Sequence, residues 1–126
     1  MNVNEWNKKI YKNEDGSFVE GGMHAKEFFE EFGIESFPLF KDKCYSHIPA
    51  RWADDVKIFL KQVQAELKDR VVFQQIKEKW CWFTVYYTFV DEESNKRMRE
   101  LINECIDRLI VKGVHPPREK LGESND

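Results

Sequence analysis

The chain has 126 residues, with 20 Lys+Arg against 23 Asp+Glu and a formal charge of −3 at pH 7. That length accommodates one domain and excludes two independent cores. With 41% hydrophobic and 14% aromatic residues it is too apolar for a disordered chain, while 34% charged residues favour solubility. No apolar run approaches the ~20 residues a bilayer span requires, and Met1-Asn2-Val3-Asn4-Glu5-Trp6 has neither a basic nor an apolar leader region. The expectation is therefore a cytoplasmic protein with no membrane partner.

Charge is unevenly spread. Residues 1–40 carry four Lys/Arg and eight Asp/Glu, residues 41–90 nine and six, and residues 91–126 seven and nine. A mildly basic middle between acidic flanks lacks the dense basic face that a nucleic-acid binder needs to neutralise several phosphates, so nucleic acid is not the expected partner. Cys44, Cys81 and Cys105 form an odd set without framework spacing, as expected of reduced thiols. Cys44-x-x-His47 has ligand-like spacing, and Cys81, Cys105 and His115 are the residues that would have to complete a zinc site. No second close pair matches it, and the expectation is no metal and no cofactor.

In chain order, Lys9-Ile10-Tyr11-Lys12 and Ser17-Phe18-Val19 flank Asn13-Glu14-Asp15-Gly16, which suggests a hairpin within an opening segment, residues 1–22. Gly21-Gly22 precedes a helix predicted over residues 23–32, with Phe28, Phe29 and Phe32 on one face and Gly33-Ile34 as its stop. Residues 35–48 read as irregular. A second helix is predicted over residues 49–68. Pro49 suits its first turn, and Trp52, Val56, Phe59, Leu60, Val63 and Leu67 recur every three or four residues.

The period then changes. Residues 71–76 read as one strand and residues 80–89 as a longer one, with Lys77-Glu78-Lys79 at the turn between them. In the second strand Cys81, Phe83, Val85, Tyr87 and Phe89 fall on one side, and Trp80, Trp82, Thr84, Tyr86 and Thr88 on the other. A last helix begins after Asp91, carries Met98, Leu101, Ile102, Cys105, Ile106, Leu109 and Ile110 on one stripe, and stops at Gly113-Val114. His115-Pro116-Pro117 ends regular structure, and mobility is expected from there on. The order predicts an α+β two-layer domain, an antiparallel hairpin packed against two or three helices, over residues 1–116 with a flexible tail over 117–126.

Gln75-Ile76-Lys77-Glu78-Lys79-Trp80, followed by Phe83-Thr84-Val85-Tyr86, resembles a group of small uncharacterised phage and prophage proteins with the pattern Q-[VI]-K-E-K-[FW]-G-x-[LF]-x-[FV]-Y. The resemblance covers residues 44–112. Arg51-Trp52 stands where that group has a Gly-Trp pair, and Cys81 stands at the Gly of the pattern. Some of those proteins end in a Cys-x-x-Cys element suited to zinc, which this chain lacks. The resemblance implies a phage-type origin and a helix–hairpin–helix core. The group has no assigned activity.

Among candidate sites, the aromatic row Trp80, Trp82 and Tyr86 stands out, because alternating aromatic and polar residues fit a half-exposed sheet face and exposed Trp and Tyr favour interfaces. The competing reading has Trp6, Tyr11 and Phe18 of the opening segment covering that face. Lys77 and Lys79 beside the row could receive an anion or lie on a solvated turn that protects a strand edge. His24, Glu27 and Glu31, and separately Glu100, Glu104 and Asp107, share helical faces that could bind metal or do acid–base work, yet solvated helix faces look the same. Ser46-His47 has no nucleophile elbow, and Gly21-Gly22 is too short for a phosphate loop. The leading expectation is a phage-type accessory protein, not an enzyme, that binds a host or bacterial protein through Trp80, Trp82, Tyr86, Lys77 and Lys79, with host takeover or blocking of a defence system as its role. Second is a binder of a small anion or nucleotide at the same residues, and third a metalloprotein or enzyme. Self-association through the aromatic row would make it a homo-oligomer.

Overall fold

The computed structural model describes residues 5, 23–24 and 47–118. Two short strands, β1 (Met23–His24) and β2 (His47–Ile48), pair antiparallel, with Met23 opposite Ile48. A 3₁₀ turn over Ala50–Trp52 leads into α1 (Ala53–Glu66), and a second over Lys68–Arg70 leads into a hairpin of β3 (Val71–Lys79) and β4 (Trp82–Phe89). The last helix is α2 (Glu92–Val111). Two helices and a two-stranded antiparallel sheet pack together as a small α+β domain.

The core follows from the apolar spacings. Val56, Phe59, Leu60 and Val63 of α1 are buried at the i, i+3, i+4, i+7 positions of one helical stripe. Met98, Leu101, Cys105, Ile106 and Leu109 of α2 do the same, and both stripes meet Val71, Phe73, Ile76 and Phe83 of the hairpin. The buried positions on β3 do not keep period two. A bulge between Phe73 and Gln75 inserts one residue opposite β4, which returns Ile76 to the face that carries Val71 and Phe73.

Each end of α2 is closed by local chemistry. The Asp91 carboxylate accepts from Ser94 N–H at 2.8 Å and from Arg70 Nη2 at 2.7 Å, and these bonds hold it down at about 2. At the other end Val114 N–H returns to the Leu109 carbonyl and Gly113 N–H to that of Ile110, the paired bonds of a Schellman stop, with Gly113 at φ 73°. Two acidic residues of α1, Glu66 and Asp55, are held by cations from α2 and its C-terminal end. Arg97 grips Glu66 through Nε at 2.6 Å and Nη2 at 2.9 Å. Asp55, only 1% exposed, lies 3.4 Å from Arg108 Nε and 2.7 Å from Lys112 Nζ, and this carboxylate raises the lysine's pKa.

Three expectations need correction. Met23–His24 is a strand, so no helix opens at Met23, because its backbone is taken up by pairing with His47–Ile48; the rest of the predicted 23–32 helix and the residue 9–19 hairpin lie outside the described residues. Lys77-Glu78-Lys79 is not a turn but the end of β3, and the turn is Trp80–Cys81. Nor is the chain loose from Gly113 to Arg118; the rest of the tail expected to be flexible, residues 119–126, lies outside the described residues. His115 and Pro116 are buried, Trp52 Nε1 donates to the Val114 carbonyl at 2.7 Å, and Arg118 bonds Asp107 and Asn103 on α2.

His115 is held on both ring nitrogens. Phe83 N–H donates to Nε2 at 3.1 Å, so Nε2 carries no proton, and the neutral ring then has its proton on Nδ1, which donates to the Pro116 carbonyl at 2.8 Å. Trp52 and Trp82 flank the ring at 5.6 and 4.5 Å between centroids. Burial, with Arg118 adding repulsion, lowers its pKa to about 4.

Two stability predictions follow from these buried groups. The unfolded chain takes up the His115 proton near pH 6.5 and the folded chain only near 4, so stability is complete above the first value and falls by up to about 3 kcal/mol as pH drops through this window. Urea unfolding across the window should show that slope, and His115→Gln should flatten it; an equal slope in the variant would place the titration elsewhere. Asp55→Asn should destabilise by about 2 kcal/mol, since the buried side chain loses its charge-assisted pairing to the partly exposed Arg108 and the exposed Lys112, and by more than Lys112→Ala, which leaves Asp55 beside Arg108.

Candidate functional site

The hairpin register decides which residues share the outer face. Lys79 stands opposite Trp82, Lys77 opposite Thr84 and Gln75 opposite Tyr86, and all six lie on the side away from Phe83 and the helices. Four of the five residues singled out from the sequence, Lys77, Lys79, Trp82 and Tyr86, are therefore neighbours. Trp80 is not in their row. It occupies the first of two turn positions, at φ 53°, followed by Cys81 at φ 69°.

Positive φ at both central residues is the signature of the tight two-residue turn that matches strand twist, a position that favours Asn-Gly. Trp and Cys pay for it with a Cβ clash of about 1 kcal/mol or more each. For Cys81 the cost is offset locally: its side chain is buried in the core and its N–H donates to the Glu78 carboxylate. Trp80 has no such return, because it is 70% exposed. The pattern's Gly at the Cys81 position was the signal for a turn there, whereas Lys-Glu-Lys drew the turn too early.

Behind the tip, Tyr86 is 39% exposed and its hydroxyl accepts from Lys79 Nζ at 3.1 Å. The Lys77 and Lys79 ammoniums sit 5.6 and 5.8 Å from the Tyr86 ring centroid, within cation–π range. Lys79's hydrogen bond and the two positive charges lower the phenol's pKa. Trp82 is half-buried, its ring against His115, and Thr84 Oγ1 donates to the Trp82 carbonyl at 3.0 Å. Trp82 thus packs against His115 in the body of the protein rather than forming the exposed surface of the face. Trp6, Tyr11 and Phe18, the residues proposed to cover the row, lie outside the described residues.

The other candidates separate. His24 is on β1, while Glu27, Glu31, Cys44 and Ser46 lie outside the described residues. Glu100 and Glu104 pair with Arg97, and Asp107 pairs with Arg118, so that helix face is an ion-pair network. Cys81 and Cys105 are buried, which pushes their thiols up to about 11 and about 12 and keeps them protonated. Among the described residues no group of three or more His, Cys, Asp or Glu is placed to hold a metal ion, and no helix is long and apolar enough to cross a membrane.

Comparison with protein families, characterised proteins and solved structures gives no match.

The turn generates a test. Trp80→Gly removes the Cβ clash and loses little packing, so it should stabilise the fold by about 1 kcal/mol. A rise in the urea midpoint at unchanged slope checks this, and a fall would mean that Trp80 packs on the fold.

Proposed function

We propose that this chain is a phage-type accessory protein of the bacterial cytoplasm that works by binding another protein, with the hairpin tip and outer face as its contact surface. One observation carries the reading: Trp80 is a large, exposed aromatic held where a smaller residue would make a more stable turn. Such strain persists where function requires it. Trp and Tyr are also the residues that most often dominate binding energy at protein interfaces. Tyr86 and the two lysines extend this surface, and Trp82 supports it from below. The pattern that resembles one of small phage proteins runs from Gln75 to Tyr86, through this same hairpin. Host takeover or inhibition of a defence system is the role that a small phage binder of this kind would serve.

The experiment is a pull-down from nuclease-treated bacterial lysate with wild type and with Trp80→Gly/Tyr86→Ala, the glycine being chosen because it should not weaken the fold. Circular dichroism first establishes that the variant is folded. A protein captured by wild type should be lost in the variant. Capture that survives both substitutions would remove the hairpin tip from the reading.

A further inference from the structure

The outer face of the hairpin is unusual in what it lacks. The chain as a whole is acidic, with 23 Asp+Glu against 20 Lys+Arg, yet among the hairpin's own residues no carboxylate falls on this face by register. Glu78, between the two lysines, is on the opposite side with its carboxylate on Cys81 N–H. Lys77 and Lys79 flank a single phenol.

The hydrogen bonding is also one-sided. The Lys79 ammonium spends one proton on the Tyr86 oxygen. The phenol, having accepted there, keeps its own O–H to donate, and the ammonium keeps two further N–H groups. Lys77 brings three more. Around Tyr86 the charged groups are thus donors bearing positive charge, beside the neutral Gln75 and Thr84, and their natural complement is an acceptor bearing negative charge. A carboxylate meets both demands, through charge-assisted bonds from ammonium and phenol together. Trp80, next to Lys79 at the turn, adds an apolar anchor.

Resting on the binding reading above, we infer that the protein partner presents an acidic segment, its Asp or Glu side chains received by Lys77, Lys79 and the Tyr86 hydroxyl, with an apolar side chain against Trp80. A nucleic acid would offer the same charge, but a polyanion needs a run of cations, and the acidic flanks of this chain repel it beyond the first contacts.

The test is selection of a random dodecapeptide library on the wild-type protein, with Lys77→Glu/Lys79→Glu and Trp80→Gly as comparisons. The expected peptides are enriched in Asp and Glu around an apolar residue. Their binding should weaken about tenfold or more on charge reversal, and should fall as salt is raised. Neutral or basic peptides, or acidic ones indifferent to charge reversal, overturn the acidic partner; the binding reading then stands if Trp80→Gly still abolishes binding and falls if it does not. No enrichment at all overturns both. A single-stranded DNA dodecamer that binds more tightly than any selected peptide overturns the choice of a protein segment.

Discussion

Phe83 N–H is received by an imidazole rather than by a strand, and that bond ties the apolar face of the hairpin to the exit of α2. A two-stranded hairpin is marginal alone and must be fixed by what packs on it. His115 does this from the exit of α2. Its neighbour Val114 accepts from the Trp52 indole at the entrance to α1, and Trp52 in turn meets Phe83 edge-on at 6.1 Å. One buried cluster therefore joins the start of α1, the root of β4 and the end of α2. It requires a neutral ring, because a proton on Nε2 would face the Phe83 N–H.

The hairpin trades local stability for presentation. Beside the turn it is buried and hydrogen-bonded at Phe83, while the turn itself is made from two residues that turn chemistry disfavours. Cys81 reconciles the demand by placing its small apolar side chain in the core. Trp80 cannot, and projects instead. The core-anchored Cys81 and Phe83 and the tight turn fix where that indole stands, which lowers the ordering cost of using it as an anchor.

Long apolar periods were legible in the sequence. Both helices and both strands of the hairpin fall where the stripes of α1, α2 and the β-branched run put them, and Gly113-Val114 marks a true helix stop. The failures have physical causes. Residues 23–24 are strand because long-range pairing with residues 47–48 overrides what the local Gly-Gly and Phe pattern suggested. The turn was misplaced because neither Trp nor Cys is a turn residue, so only a motif with Gly at Cys81 pointed to it. The end of the domain reads as polar and Pro-rich, and nothing local to His115 says that its acceptor nitrogen fits the Phe83 N–H, 32 residues away. Of the candidate surface, alternation found Trp82 and Tyr86, but it could not separate the half-buried indole from the exposed one at the tip.

The charge of the outer face is itself a product of register. In Gln75-Ile76-Lys77-Glu78-Lys79 the signs alternate along the chain, so side-chain parity alone decides whether lysines or glutamate face outward. Two features set that parity. The bulge between Phe73 and Gln75 brings Ile76 inward, and the two-residue turn places Lys79 opposite Trp82. A slip of one residue on β3 would bury both lysines against the helices, expose Glu78 beside Tyr86 and push Ile76 into water. The core therefore enforces the surface: burial of Ile76 and Phe83 forces the ammoniums together around the phenol. The positive, donor-bearing face is thus as strongly specified as the core behind it, although none of its own contacts contributes much to stability.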